Sequence, residues 1–299
     1  MQRRTFIRST ALTAAGLTLL RNESFAGFFD PAWQIKMLND RIGVFTEKGG
    51  TIAFLLSKKG IVVVDAQFPD TAPHLIEELK KREAKHFRYL INTHHHSDHT
   101  SGNIAFKGLV KKVVAHENSY KNQKAVAVNS KTEDKQLYPG RTFDENGWYR
   151  NMGDEEIQTY YFGRGHTDGD AIVHFENSNI AHMGDLVFNR RFPYIDRTAG
   201  ASVKNWIKVL HKTDNTFDNS TQFIFGHSAN GYDITGNIQD VRAFKDYLEK
   251  LWAFGEAEIK AGKSREEFIK NKSIPGVTEW KGDGIDRSLT AVYDELMEK

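Results

Sequence analysis

The 299-residue chain has no cysteine. That excludes disulfides, thiolate metal ligands and a lipid-modified cysteine anchor, and it leaves histidine and carboxylates as the strong metal ligands on offer. Charge of one sign is scarce too: 41 Lys and Arg stand against 39 Asp and Glu with no long like-charge run, so nothing marks an electrostatic footprint for nucleic acid. Low-complexity segments are missing. The apolar stretch near the start, "ALTAAGLTLL", falls well short of membrane-spanning length. What is present in unusual density is histidine. Residues 92–103 read "NTHHHSDHTSGN" and place four histidines and an aspartate in six positions. A solvated loop has no need of that much imidazole, and a core would not accept it unpaired.

The N-terminus reads as an address. "MQRRTFIRST" sets Arg3 and Arg4 before Phe6 and Ile7, a short apolar run follows, and Ser24 and Ala26 offer a cleavage point after Ala26. The pattern resembles a twin-arginine export signal, which carries proteins already folded. Residues 1–26 are therefore expected to be removed by way of the twin-arginine machinery, leaving a periplasmic protein without stable membrane insertion. Residues 27–299 are long for one domain but within reach of a single large α/β unit.

Short strand-like runs follow: "WQIKML", "RIGVFTE", "TIAFLLS" and "GIVVVDA", punctuated by Gly49-Gly50 and by Lys58 to Gly60, predict an antiparallel opening. Residues 73–85 start with proline and put Leu75, Ile76 and Leu79 on one face, which predicts a helix. "FRYLINT" is a buried strand running into the histidine cluster. The second half repeats the theme with "IQTYYF", "AIVHFEN", "NIAHMGD", the helix-like "VKNWIKVLHKTDNTF" and the strand "TQFIFGH", and from about residue 237 the chain is helical. Strand-rich halves, each with helices, predict two sheets packed face to face with helices outside.

Four candidate ligand clusters fall at predicted strand ends: His94, His96, Asp98 and His99 after "YLIN", His166 after "TYYFGRG", Asp185 after "NIAHMG", and His227 after "FIFG". Alternate residues of an extended segment share a side, so His94 and His96 point together while His95 points away. A turn after Ser97 redirects Asp98 and His99. Two adjacent sites are expected, one of His94, His96 and His166, the other of Asp98, His99 and His227, with Asp185 bridging. Glycine beside His166, Asp185 and His227 lets backbone approach a crowded centre. Imidazole and carboxylate without thiolate suit zinc best, and iron or manganese accept the same donors. His74, His86 and His211 read as ordinary polar residues, and His116 as packed or solvated.

These motifs resemble the metallo-β-lactamase superfamily over most of residues 40–230: "VVVDAQF" with Asp65, "THHHSDH", "GRGHTDGD", "MGDLVF" and "FGHS". The resemblance implies an αββα sandwich of two mixed sheets, with the metals at one edge. Asp65 then holds the ligand loop by hydrogen bonds without touching metal. Within the superfamily, "GDLVFNRRFPYID" followed by "AGASVKNWIKVL" looks most like exported metallohydrolases associated with sulfur-oxidation and quinoprotein-relay systems. Zinc lactamases with the same three-histidine site place a cysteine where this chain has Asp185, which argues against efficient lactam hydrolysis.

The chemistry so implied is that of a dinuclear zinc hydrolase. Two zincs, expected per chain, share a hydroxide because coordination lowers the pKa of water from 15.7 to about 7. Asp98 orients it and takes its proton. The substrate is expected to be a small molecule with an ester, thioester or amide bond. In "FNRRFPYID", Arg190 and Arg191 are candidate carboxylate grips, and Phe188, Phe192 and Tyr194 a candidate apolar wall, with Phe68 at the mouth. Two other readings stand beside this one: a β-lactamase, and a mononuclear-iron enzyme that oxidises persulfides with oxygen.

Overall fold

The computed structural model describes residues 32–83 and 86–298; the expected export signal, residues 1–26, lies outside them. The first sheet has seven strands in chain order: β1 (Gln34–Met37), β2 (Ile42–Thr46), β3 (Ile52–Ser57), β4 (Gly60–Val64), β5 (Phe87–Asn92), β6 (Lys112–His116) and β7 (Arg141–Phe143). β1 to β4 form an antiparallel meander, and β4 to β7 run parallel. The second sheet contains β8 (Tyr149–Asn151), β9 (Glu156–Tyr160), β10 (Ile172–Phe175), β11 (Ile180–His182), β13 (Gln222–Ile224) and β15 (Thr235–Gly236) in the order β15-β13-β11-β10-β9-β8. Its pairs are antiparallel apart from β11 with β13. The two-residue strands β12 (Phe188–Asn189) and β14 (His227–Ser228) pair separately.

The layering follows from the alternation of side chains. In β3, Ala53 and Leu55 face the second sheet while Ile52 and Phe54 face outward; in β4, Val62 and Val64 face inward while Ile61 and Val63 face outward. Both faces are covered, which is why these strands read as continuous apolar runs. The layer between the sheets joins Ile42, Val44 and Ile91 to Ile157, Val173, Phe175 and Ile224. Outside the first sheet lies the helix Ala72–Arg82, buried through Leu75, Ile76 and Leu79 as its pattern predicts. Outside the second sheet lie the helices Val203–Thr216, Ile238–Lys260 and Ile285–Met297, whose shared core includes Trp206, Phe244, Tyr247 and Leu289. The result is an αββα sandwich of two mixed sheets, as expected.

The helical region predicted from about 237 begins at Ile238, where Asn237 and Asp240 form a reciprocal capping box. No helix among the described residues is long and apolar enough to cross a membrane. The last helix also caps another one. Glu295 accepts hydrogen bonds from Ser202 Oγ (2.6 Å) and from the backbone N–H groups of Val203 (2.7 Å) and Lys204 (3.3 Å), at the N-terminus of Val203–Thr216. A carboxylate there meets both the unpaired N–H groups and the positive end of the helix dipole. Replacing Glu295 with alanine is expected to cost about 1–2 kcal/mol in chemical denaturation without altering bound metal.

Candidate metal centre

The seven predicted ligands arrive from four strand ends. β5 ends at Asn92, the chain bends at Thr93 and His94, and from an extended His96 it turns into the four-residue helix Ser97–Thr100. His94 and His96 converge there, with His94 Nε2 3.1 Å from His96 Nδ1. The helical turn then swings Asp98 and His99 to a neighbouring position. His166 follows β9, Asp185 follows β11, and His227 opens β14.

The seven side chains come together in two adjoining groups. In one, suitable donor atoms of His94, His96, His166 and Asp185 all lie within 4.8 Å of one another; the same holds for Asp98, His99 and His227 in the other. Asp185 stands between them. Its Oδ2 is 3.4 Å from His166 Nε2 and 3.5 Å from His227 Nε2, and its Oδ1 is 3.1 Å from His99 Nε2. Asp98 Oδ2 is 3.1 Å from His227 Nε2. Close backbone approach is built in: a Cβ on Gly226 would collide with the Asp185 carboxylate, and one on Gly50 with the His99 ring.

The electrostatics divide the histidines. Burial pushes His166 down to about 3 and His94 well below its ordinary value, helped by neighbouring imidazoles, so both are neutral at pH 7. Burial works the same way on His99 and His227, yet Asp185 and the other carboxylates outweigh it, carrying His227 up to about 9 and His99 well above the imidazole range. Burial also raises Asp98, but His99 and His227 bring it down to about 2. The carboxylates are therefore anionic and gathered against imidazole.

This donor set fits divalent metal. His166 Nε2 and His96 Nδ1 lie 2.8 Å apart, two ring nitrogens aimed at the same point, and the buried His99 Nε2 and Asp185 Oδ1 have no hydrogen-bond partner. Buried polar atoms left facing each other in this way are costly unless a cation lies among them. The chain has oxygen and nitrogen donors and no thiolate, the set that zinc accepts along with iron or manganese.

A supporting layer fixes the rings. Asp65 sits at the end of β4 with a positive φ of 64°, fully buried. Its carboxylate accepts from Thr93 N and Thr93 Oγ1 (2.8 Å each) and lies 2.7 Å from His99 Nδ1. Three further supports carried no sequence signal of their own. Asp196 is 3.0 Å from His96 Nε2, and the Tyr194 carbonyl is 2.7 Å from His166 Nδ1. Asp170 accepts from the N–H groups of Gly165 and Thr167 and from Thr167 Oγ1, bracing the His166 loop; burial raises its carboxyl to about 7. His95 lines a neighbouring groove with its Nε2 3.7 Å from the Asp196 carboxylate that also holds His96, and His116 packs against Tyr161 with ring centroids 3.9 Å apart.

The cleft over the centre, about 270 Å³, is walled by Phe188, Arg191, Phe192, Tyr194 and, from the last helix, Arg287. Arg287 was not expected. Arg190 corrects the sequence reading. Its φ of 56° turns the chain so that it and Arg191 diverge, and its guanidinium is taken by Glu279 (3.1 Å), Asp240 (3.4 Å) and the Trp280 ring, away from the cleft. Phe68 packs beside Asp98, yet it lines the neighbouring groove that also holds His95 and Ser97, not the cleft itself.

With this geometry in view, comparison with known proteins is specific. The Metallo-beta-lactamase superfamily profile matches residues 46–246, and the chain belongs to that superfamily of metal-dependent hydrolases. The metallo-beta-lactamase type 2 of Elizabethkingia meningoseptica is 26% identical over 226 residues, covering 73% of this chain and 85% of that protein. The type 2 enzyme of Bacillus cereus is 25% identical over 207 residues, 66% of this chain and 77% of its own. Among solved structures, the metallo-beta-lactamase from Pontibacter korlensis superposes with a TM-score of 0.61 at 18% identity, over 73% of this chain and 99% of that one, a likeness of fold.

Proposed function

We propose that the protein is a dinuclear zinc hydrolase that cleaves an ester, thioester or amide bond of a small anionic molecule. One observation carries the reading: seven side chains from four strand ends direct their donor atoms into two groups that meet at Asp185. His94, His96 and His166 would hold one cation and Asp98, His99 and His227 the other, with Asp185 shared. The chemistry two such cations supply when bound is polarisation of a carbonyl oxygen and acidification of water toward neutrality.

The chain's own groups do the rest. A carboxyl at about 2 stays ionised, so Asp98 accepts a hydrogen bond from the attacking water and orients it without storing its proton, which corrects the expectation from sequence that it takes that proton. Asp196 and Asp65 hold His96 and His99 in orientation through their second ring nitrogens. Arg191 and Arg287 give the cleft its positive wall, and Phe188, Phe192 and Tyr194 its apolar one. Replacing Arg191 with alanine is expected to raise KM about tenfold for a carboxylate-bearing ester, a loss of one charge-assisted hydrogen bond. Its kcat, and both constants for a neutral analogue, should stay within about twofold.

Lactams are the poorer substrates in this reading, because Asp185 stands where the lactamases resembled in sequence carry cysteine. We also propose export through the twin-arginine signal, with a mature protein starting at Gly27 in the periplasm. The affinity to exported metallohydrolases of sulfur-oxidation and quinoprotein-relay systems rests on the phrases "GDLVFNRRFPYID" and "AGASVKNWIKVL". The deciding experiment is elemental analysis of protein purified from its exported compartment, followed by turnover of esters, thioesters and nitrocefin. Two zincs with ester or thioester turnover support the proposal. One iron per chain, with oxygen consumed on addition of a persulfide, replaces it by the dioxygenase reading.

A further inference from the structure

A second concentration of charge lies at the start of the parallel half of the first sheet, away from the metal centre. Tyr89 of β5 pairs in register with Lys112 of β6, whose strand ends four residues later at His116. The same edge receives Lys111, Arg141 from the first position of β7, and Trp148 and Arg150 from the β8 region of the second sheet. Together these residues line a pocket of about 340 Å³.

Its composition is one-sided. No carboxylate lines the pocket, and among the described residues none of its four cations takes part in an ion pair. That is unusual in a chain whose charges nearly balance, 41 against 39. Two carboxylates border Arg141 on its other side, but Glu117 is paired with Lys121 and Asp144 with the Asn146 amides. The Arg150 guanidinium lies 5.9 Å from the Tyr89 ring centroid and 5.5 Å from that of Trp148, which fixes its head against the aromatic wall. Trp148 is 5% exposed, and its buried Nε1–H has no acceptor. Four uncompensated cations around one cavity ask for an anion rich in acceptors.

We propose that this pocket binds an oxyanion, a phosphate or sulfate group carried by a small molecule. The forked guanidinium groups of Arg141 and Arg150 match paired anionic oxygens, and Lys111 and Lys112 add mobile charge at the rim. The pocket volume sits near the lower end of ligand sites, about 300–1,000 Å³, and suits a compact group. The proposal is independent of the reaction at the metal centre.

Nuclear magnetic resonance of the ¹⁵N-labelled, metal-loaded chain tests it. Inorganic sulfate and, in parallel, inorganic phosphate are titrated at low ionic strength while the Trp148 indole N–H signal, assigned with Trp148→Phe, is followed. A saturable shift is expected with at least one of the two anions. The Arg141→Gln/Arg150→Gln double variant should raise the apparent Kd at least tenfold, with metal content and the remaining spectrum unchanged. Lys111→Gln/Lys112→Gln provides a second pair at exposed positions and should weaken binding in the same direction. A shift that stays linear in anion concentration, or a Kd that neither double variant changes, overturns the proposal.

Discussion

Asp185→Asn is expected to lower kcat/KM on the best ester substrate by at least about 10³-fold, equivalent to about 4 kcal/mol of transition-state stabilisation. Bound metal should fall from two per chain to one or fewer. The size of the effect follows from position. Among the described residues, Asp185 is the one side chain with a carboxylate oxygen within 4 Å of ring nitrogens in both groups, 3.4 Å from His166 and 3.1 Å from His99. The residue is 4% exposed, so water cannot take its place. Asparagine keeps the volume but removes the negative charge and turns one acceptor into an N–H₂ donor, which would face imidazole nitrogens that themselves need lone pairs for metal. Elemental analysis and steady-state kinetics on the same preparation give both readouts. Full metal content with activity within tenfold of the parent would show that Asp185 is not shared between two cations.

The parts of this centre that were legible in the sequence were those expressed in local spacing. His94 and His96 could be placed together, and His95 apart, by treating the segment as extended with alternating side chains; the structure does bring His94 and His96 together, but it bends the chain at Thr93 and His94 and has His96 extended just before the helix that starts at Ser97. Strand ends were legible because both faces of β3 and β4 are buried and the apolar runs are unbroken. The helix Glu117–Ser130 was not. It buries Ser119, Gln123 and Ala127, so no apolar stripe announces it. β7, β8, β12, β14 and β15 are two or three residues long, too short for a period of two to register.

Other residues were hidden by distance or by backbone conformation. Arg190 and Arg191 are adjacent in sequence and look alike there, but the positive φ at Arg190 sends one to Glu279 and the other to the cleft. That conformation is not a property of the residue type, since arginine has no preference for it. Arg287 reaches the cleft from a helix almost at the chain's end, and nothing near it in sequence marks the role. Asp196 differs again: its partner, His96, is 100 residues away, and its own neighbours Thr198 and Ala199 give it the look of a simple turn aspartate. The four cations of the basic pocket are spread from Lys111 to Arg150, so no charge run appears until β6, β7 and β8 bring them to one edge.

Asp65 offers the sharpest separation between holding the fold and holding the metal. Its carboxylate receives two hydrogen bonds from Thr93 and faces His99 Nδ1, all within 2.8 Å and fully buried. Asp65→Ala strands these donors, at about 1–3 kcal/mol for each buried group left unpaired, and also puts alanine into a left-handed conformation that costs about 1–2 kcal/mol. A total of at least about 4 kcal/mol is expected in chemical denaturation, measured with chelator present so that metal does not contribute. Asp65→Asn should behave differently. Asparagine tolerates the positive φ and keeps one oxygen for Thr93 N, so the fold should lose only about 1–2 kcal/mol. Its amide nitrogen, however, replaces the acceptor at His99 Nδ1 and favours the tautomer with the proton on Nε2, the atom that faces Asp185. Metal affinity of the Asp98, His99 and His227 group should then fall about 10–100-fold while the three-histidine group keeps its cation. Competition against a graded chelator series would resolve the two affinities. If asparagine weakened both groups equally, or neither, the carboxylate of Asp65 would be a loop fastening without influence on the ring it touches.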